Sequence, residues 1–190
     1  HLPESGVELR NVSLQRVGFQ IAGPKARDLL ASISSINLET AAFPFMAVRE
    51  GEVGLCDALV QRVSYTGDQG YEIYVDSSQQ LALYRALVAA GEAFGLRPFG
   101  MRAMMSLRLE KGFGSWLREY KPDYTPLETG LSRFVAYDKP ADFIGKAAAL
   151  AERAAGVKRK LATLVVETDD ADVHGDEPIW ANGELVGFVT

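Results

Sequence analysis

Hydrophobic and polar residues along the first half of the chain predict strands with one helix between them. Residues 12–22 alternate between apolar and polar and predict a half-buried strand. Gly23-Pro24 ends that strand, and the apolar spacing that follows predicts a helix over residues 25–33. Three further strands, the first two joined by a glycine turn at residues 50–54, are predicted at residues 45–49, 56–64 and 71–75.

The second half of the chain changes from helical spacing to β-type patterns. A helix is predicted over residues 78–94, with Leu81, Tyr84, Leu87 and Val88 spaced by three and four, and it closes at Gly95. Asn182-Gly183 stands between two apolar runs, which is a strong signal for a β-hairpin. The other predicted elements are helices over residues 100–110 and 142–155 and strands over residues 131–137 and 161–167.

This order of elements predicts the fold class and the domain organisation. Strands and helices are interleaved and several hairpins are present, so we expect an α+β fold rather than a doubly wound parallel sheet. The basic stretch over residues 157–160 is the predicted domain boundary. Residues 1–157 then form one domain, and residues 158–190 begin a β-rich domain whose remaining strands are not included.

Composition narrows the functional classes. The 190 residues are 47% hydrophobic and carry a net charge of −5, which argues against a general binder of nucleic-acid phosphates. Cys56 is the single cysteine and His1 and His174 are the only histidines, so no zinc-ligand spacing exists and a cytoplasmic compartment is expected. No apolar run approaches the roughly 20 residues that span a bilayer, so no membrane partner is predicted either.

The residues with the densest chemical content lie between Arg62 and Tyr74. Alternation along a strand places Tyr71 and Ile73 on one face and Glu72 and Tyr74 on the other. An aromatic ring beside a carboxylate suits a flat heteroaromatic ligand with an amino-amide edge, because the carboxylate accepts two N–H donors. The alternative is an exposed glutamate on an edge strand near Arg62.

A second candidate residue, Arg102, opens the predicted helix over residues 100–110. The helix dipole favours acidic rather than basic groups in a first turn, so the placement of Arg102 favours a ligand-binding role. The alternative is an arginine whose aliphatic stem packs on Met105.

Several motifs stand in order along the chain, beginning with a Gly-Pro-x-Ala-x-x-Leu-Leu helix entry at residues 23–30. The four motifs that follow are Tyr-Thr-Gly-Asp-Gln-Gly-Tyr-Glu-Ile at residues 65–73, Gly-Met-Arg at 100–102 with residues 106–112, Thr-Pro-Leu-Glu-Thr-Gly-Leu at 125–131, and Asp-Phe-Ile-Gly-Lys at 142–146. In this order the motifs resemble the glycine cleavage T-protein (aminomethyltransferase) family. Details such as Trp116 and residues 139–143 are more similar to the folate-binding module at the C-terminus of dimethylglycine and sarcosine dehydrogenases.

The resemblance implies a T-protein-like fold with a tetrahydrofolate site, followed by the start of a C-terminal β-barrel. Glu72 would bind the amino-amide edge of the pterin, Tyr65 and Tyr74 would line the pocket, and Arg102 would contact the ligand. The implied folate-binding set is therefore Tyr65, Glu72, Ile73, Tyr74 and Arg102, and no metal site is implied.

The resemblance also implies the reaction and the partners. N5 of tetrahydrofolate would take the one-carbon unit of an N-methyl amine, giving 5,10-methylenetetrahydrofolate, after an FAD domain upstream in the same chain has oxidised that amine. The family's catalytic aspartate lies N-terminal to the residues given, so we expect these 190 residues alone to be nearly inactive. Asp57 is interpreted as a strand-edge residue rather than a substitute.

Two alternatives remain open from the sequence. In the first, the chain is a piece of a free-standing aminomethyltransferase that works with a lipoyl carrier protein. In the second, it is a folate-binding protein without transfer activity.

Overall fold

The structure is a computed structural model that describes residues 5–190, and the chain divides into two compact units. The first unit ends at Phe113 and the second begins at Gly114. Each unit contains helices together with antiparallel strands, so the predicted α+β class is confirmed. The boundary predicted after residue 157 lies within the second unit and, like the barrel that would follow it, stays a prediction.

A four-stranded antiparallel sheet forms the centre of the first unit. Its spatial order is β1-β4-β3-β2, so β1 pairs with the last of the four strands in the sequence. Strands β2 and β3 are joined by a tight turn at Gly54-Leu55, and both residues have positive φ. The strands are β1 (Arg16–Ala22), β2 (Val48–Val53), β3 (Cys56–Gln61) and β4 (Gly70–Asp76).

One face of this sheet carries the hydrophobic core. Helix α1 (Ala26–Ile33) contributes Leu29 and Leu30, and helix α2 (Gln80–Gly91) contributes Leu83 and Leu87. The burial of such side chains is the main favourable term in folding. The strand residues in the same core include Val53, Cys56, Val60, Tyr71, Ile73 and Val75.

Helix α3 (Met101–Glu110) is the last helix of the first unit, and it begins one residue later than the predicted start at Gly100. Arg108 on this helix is buried, and its Nη1 donates a hydrogen bond to the Phe113 carbonyl oxygen at 3.0 Å. That bond fixes the chain directly after the helix, where the first unit ends.

The second unit contains helix α4 (Lys146–Ala155) and the hairpin of β5 (Pro178–Ala181) and β6 (Glu184–Phe188). Asn182 and Gly183 connect the two strands with φ values of 52° and 82°. These left-handed conformations are the ones a two-residue hairpin turn requires, so the predicted hairpin is confirmed. None of the helices in the described part of the chain combines the length and apolar character needed to cross a membrane.

Two predicted strands are wrong. Residues 131–137 contain a 3-10 turn over Ser132–Phe134, because the amide groups of Phe134 and Val135 bond to carbonyl groups three residues earlier. Residues 161–167 form no strand, and Val165 is 96% exposed. A strand needs a partner for its backbone groups, and neither segment pairs in a ladder within residues 5–190.

Several element boundaries also differ from the prediction. The turn predicted at residues 50–54 lies later, because residues 50–53 continue β2 and pair with β3. The helix predicted from residue 142 begins at Lys146, directly after Gly145 in a left-handed conformation. The helix predicted over residues 78–94 is α2 flanked by 3-10 turns over Ser77–Gln79 and Glu92–Phe94.

Candidate functional site

The sheet face opposite the core carries two rows of side chains that run across three strands. The polar row consists of Gln20, Glu72 and Gln61, which are register partners on β1, β4 and β3. The second row, which we call the aromatic row, consists of Gly18, Tyr74 and Leu59. Neighbouring strands are about 4.8 Å apart, so both rows have the dimensions of a small planar ligand.

Glu72 is the centre of the polar row, and both of its carboxylate oxygens are engaged. Gln20 Nε2 donates to Oε1 at 2.6 Å, and the Tyr74 hydroxyl donates to Oε2 at 2.6 Å. A carboxylate oxygen has two lone pairs, so each oxygen keeps one acceptor position for a further donor. Two donors thus hold the carboxylate, and each of its oxygens can accept one further hydrogen bond.

Gly18 lets the Tyr74 ring lie against β1. A Cβ atom at Gly18 would stand 2.9 Å from Tyr74 Cε1, closer than carbon atoms approach. The missing side chain therefore makes room for the ring, which in turn directs its hydroxyl group to Glu72. The sequence pattern placed Tyr74 on this face, and the contact with Gly18 comes from the pairing of β1 with β4.

The hydrogen bond to the Glu72 carboxylate, with partial burial and the negative charge of Glu72, raises the pKa of Tyr74 to about 12. A group whose pKa is raised in the folded state stabilises the fold below its unfolded pKa of about 10 and loses that contribution as the pH rises through about 12. Tyr74 therefore keeps its proton, and its role as a hydrogen-bond donor, throughout the neutral range.

This pKa is testable by ultraviolet titration of the phenol groups. We expect one of the seven tyrosines to ionise near pH 12 in the wild type and nearer pH 10 in Glu72→Ala. Stopped-flow pH jumps should be used, so that ionisation is recorded before alkaline unfolding. Tyr74→Phe is the control, since it should remove the late ionisation, and identical curves for wild type and Glu72→Ala would contradict the assignment.

The other predicted site residues differ in their surroundings. Tyr65 is half-buried in the loop before β4, and Arg102 is exposed in the first turn of α3. Ile73 is fully buried in the core, on the opposite face of β4 from Glu72 and Tyr74. The structure therefore brings Glu72 and Tyr74 together and directs the Ile73 side chain away from them.

The first two family-like motifs meet at Gly67 and Lys111. Gly67 has a φ of +80°, and the Lys111 side chain lies where a Cβ of residue 67 would be. In the same turn the hydroxyl groups of Ser64 and Thr66 are hydrogen-bonded at 3.1 Å. The contact between Gly67 and Lys111 joins the end of helix α3, which contains Arg102, to the loop that contains Tyr65.

A small cleft of about 140 Å³ lies beside this loop, between Phe45, Arg62 and Gln69. Ligand pockets usually measure about 300–1,000 Å³, so the cleft is too small for a bicyclic ligand with a side chain. We therefore take as the candidate site the sheet face opposite the core, which contains the polar row and the aromatic row. We call it the open sheet face, or open face.

The third family-like motif has a structural role in the second unit. The Glu128 carboxylate accepts from the Thr125 amide at 2.9 Å, and the Thr125 hydroxyl accepts from the Glu128 amide at 3.2 Å, so the two residues cap each other. Arg159 Nε donates to Glu128 Oε1 at 2.7 Å. The Arg159 and Thr125 bonds lower the pKa of Glu128.

A second cleft, of about 570 Å³, lies in the second unit between Arg133, Tyr137, Lys139 and Arg153. None of the predicted site residues lines it. Within the described residues, no group of three or more His, Cys, Asp and Glu side chains is placed to hold a metal ion.

Gln20 is the site residue that sequence reasoning missed. It lies in a segment predicted to be a strand, but its partner Glu72 is 52 residues away. The signal was the alternation that places Gln20 opposite the apolar Phe19 and Ile21, and its use required knowing that β1 pairs with β4.

The sequence of the chain is similar to one protein family and to several known proteins. Residues 1–139 match the GCVT N-terminal domain family. The chain is 42% identical to mitochondrial dimethylglycine dehydrogenase of Homo sapiens over 97% of its own length and 21% of that protein. It is 35% identical to mitochondrial sarcosine dehydrogenase of Homo sapiens over 90% of its own length and 18% of that protein.

A shorter relative is covered to a larger extent. The chain is 36% identical to the aminomethyltransferase of Caldanaerobacter subterraneus subsp. tengcongensis over 97% of its own length and 48% of that protein. The chain thus spans about a fifth of the dehydrogenases and about half of the aminomethyltransferase that it matches.

Proposed function

Because the chain belongs to the GCVT N-terminal domain family, we propose that it is the tetrahydrofolate-binding module of a larger one-carbon transfer enzyme. The observation that carries the proposal is the Glu72 carboxylate, held by Gln20 and Tyr74 with an acceptor position left on each oxygen. The resemblance in the sequence points to the same residue.

The residues of the open sheet face fit the pterin ring. A pterin presents an amino group and a ring N–H side by side, and a carboxylate accepts both in a bidentate arrangement. The Tyr74 ring and Leu59 of the aromatic row offer apolar surface beside the carboxylate, and Gly18 leaves room for the Tyr74 ring in this position.

The chain's own residues bind and orient in this proposal. When bound, tetrahydrofolate supplies the N5 amine that accepts the one-carbon unit. Glu72 anchors the far edge of the ring system, and Tyr65 and Tyr74 hold its plane. Arg102, an exposed cation in the first turn of α3, contacts an anionic part of the ligand. Positioning of this kind lowers the barrier by paying the orientational entropy in advance.

The amine substrate that we propose is dimethylglycine or sarcosine. The 42% identity over nearly the whole chain supports the dehydrogenase type, in which an FAD domain in the longer protein oxidises the amine. The 36% identity to an aminomethyltransferase supports the alternative, in which a lipoyl carrier protein delivers the one-carbon unit. In either case the transfer activity belongs to the longer protein.

The proposal is tested by titration calorimetry of the chain with 5-formyltetrahydrofolate, a stable reduced folate. We expect saturable binding with one ligand per chain, and competition by free reduced pterin but not by p-aminobenzoylglutamate at the same concentration. This pattern would assign the affinity to the pterin ring. If a folded chain binds neither 5-formyltetrahydrofolate nor the reduced pterin, the proposed function is wrong.

A further inference from the structure

We propose that Gln20 is a specificity-determining residue, whose second side-chain N–H recognises the carbonyl oxygen of the pterin ring. This inference rests on the proposed function and extends it from the Glu72 carboxylate to the whole edge of the ligand. It assigns to β1 the selection of 2-amino-4-oxo rings over 2,4-diamino rings.

The orientation of the Gln20 amide follows from its contact with Glu72. A carboxylate accepts hydrogen bonds and does not donate them, so the NH2 group and not the carbonyl group of Gln20 must face Oε1 at 2.6 Å. One hydrogen of that NH2 group is used in the bond. The other hydrogen remains as a donor next to the acceptor position of Oε1.

The Gln20 N–H and the two Glu72 oxygens form a row of hydrogen-bonding groups, which we call the array. Tyr74 extends this array on the other side of the carboxylate. Its hydroxyl group gives its hydrogen to Oε2 at 2.6 Å, which leaves the phenol oxygen as an acceptor. The order along the array is therefore the Tyr74 oxygen, the two Glu72 oxygens and the Gln20 N–H. These groups are three acceptors followed by one donor.

A 2-amino-4-oxo ring presents the complementary order. Its amino group supplies two N–H donors, its ring N–H a third, and its carbonyl oxygen an acceptor at the end. A 2,4-diamino ring has no hydrogen on the uncharged ring nitrogen and places an amino donor where the carbonyl would be. That donor would face the Gln20 N–H, and a site that loses hydrogen bonds in this way rejects the analogue strongly.

Gln20 is well placed for substitution experiments. It is exposed on the edge strand β1, where a change of side chain leaves the core of the opposite face intact. Gln80 offers a matched control for a change of glutamine to leucine, because it is exposed at the start of α2. Helix α2 packs in the core with Leu83 and Leu87, on the face of the sheet opposite Glu72.

The experiment compares folic acid with aminopterin, which differ only in the oxo or amino group at position 4. Dissociation constants are measured by calorimetry at one mildly alkaline pH for the wild type, Gln20→Leu and Gln80→Leu. We expect the wild type and Gln80→Leu to prefer folic acid by about tenfold or more. Gln20→Leu should reduce this preference to about twofold or less, because a leucine has no N–H to present.

Other outcomes separate this inference from the proposed function. If 5-formyltetrahydrofolate binds but Gln20→Leu keeps the wild-type preference, or the wild type shows no preference, the inference is overturned and the proposed function stands. A folded wild type that binds no pteridine overturns both. Gln20→Thr, a good strand former with too short a side chain, repeats the test if Gln20→Leu does not fold.

Discussion

Replacing Glu72 by alanine is expected to weaken the binding of 5-formyltetrahydrofolate by about 2 kcal/mol or more, which is about 30-fold in Kd. The substitution removes both acceptor oxygens, so two N–H donors of the ligand would lose a charged partner on leaving water. Gln20 and the Tyr74 hydroxyl lose the same partner. Because all the lost hydrogen bonds belong to the Glu72 carboxylate, we expect a larger loss of affinity than for any other single residue of the open face.

The measurement is calorimetric titration of wild type and variant, with circular dichroism to establish that both are folded. Glu50→Ala is the matched control. Glu50 lies on β2 opposite Leu59, so it is an exposed carboxylate on the same sheet face, at the end of the aromatic row. We expect Glu50→Ala to bind like the wild type. Equal affinities of Glu72→Ala and the wild type would remove Glu72 from the ligand site.

Replacing Leu83 by alanine is expected to have the largest effect on stability, with a loss of about 2–5 kcal/mol in the free energy of unfolding. Leu83 is fully buried on α2 in the core. Truncation to alanine removes three carbon atoms that pack against other residues of the core. It leaves a cavity, because those neighbours relax only in part.

Leu81→Ala is the control for this substitution, because Leu81 lies on the same helix and is 56% exposed. We expect its effect to stay within about 0.5 kcal/mol. Trp116 and Trp180 both belong to the second unit, so tryptophan fluorescence is a poor probe here. Native-state hydrogen exchange of amides in β3 and β4 measures the first unit directly. Similar losses for Leu81→Ala and Leu83→Ala would contradict the burial pattern.

These two expectations depend differently on the sequence. The binding role that we expect of Glu72 follows from the sequence, because strand alternation separates it from Tyr71 and Ile73, and the motif around it resembles a known family. The importance of Leu83 was not predictable. The apolar spacing along α2 selected Leu81, Tyr84, Leu87 and Val88, whereas the buried residues are Leu83, Leu87 and Gly91. A helix that is apolar on several sides leaves the buried stripe to be chosen by its neighbours.

Local chemistry explains which elements the sequence determined by itself. The hairpin at Asn182-Gly183 and the start of α3 after Gly100 depend on residues within a few positions of one another. The faces of β4 follow from the period of two in a strand. Residues 161–167, for which a strand was predicted, are also rich in apolar residues. A strand needs a partner strand, and the residues of this segment do not determine whether one is present.

Tertiary structure alone decided the arrangement around Glu72. Only the pairing of β1 with β4 brings Gln20 to within 2.6 Å of a carboxylate 52 residues away and places Gly18 beneath the Tyr74 ring. The sequence therefore determined the residue types, the strand faces and the family of this chain. The hydrogen-bonded array on the open face required the strand order, because contacts between distant segments are set by how the sheet assembles and not by the residues next to them in the chain.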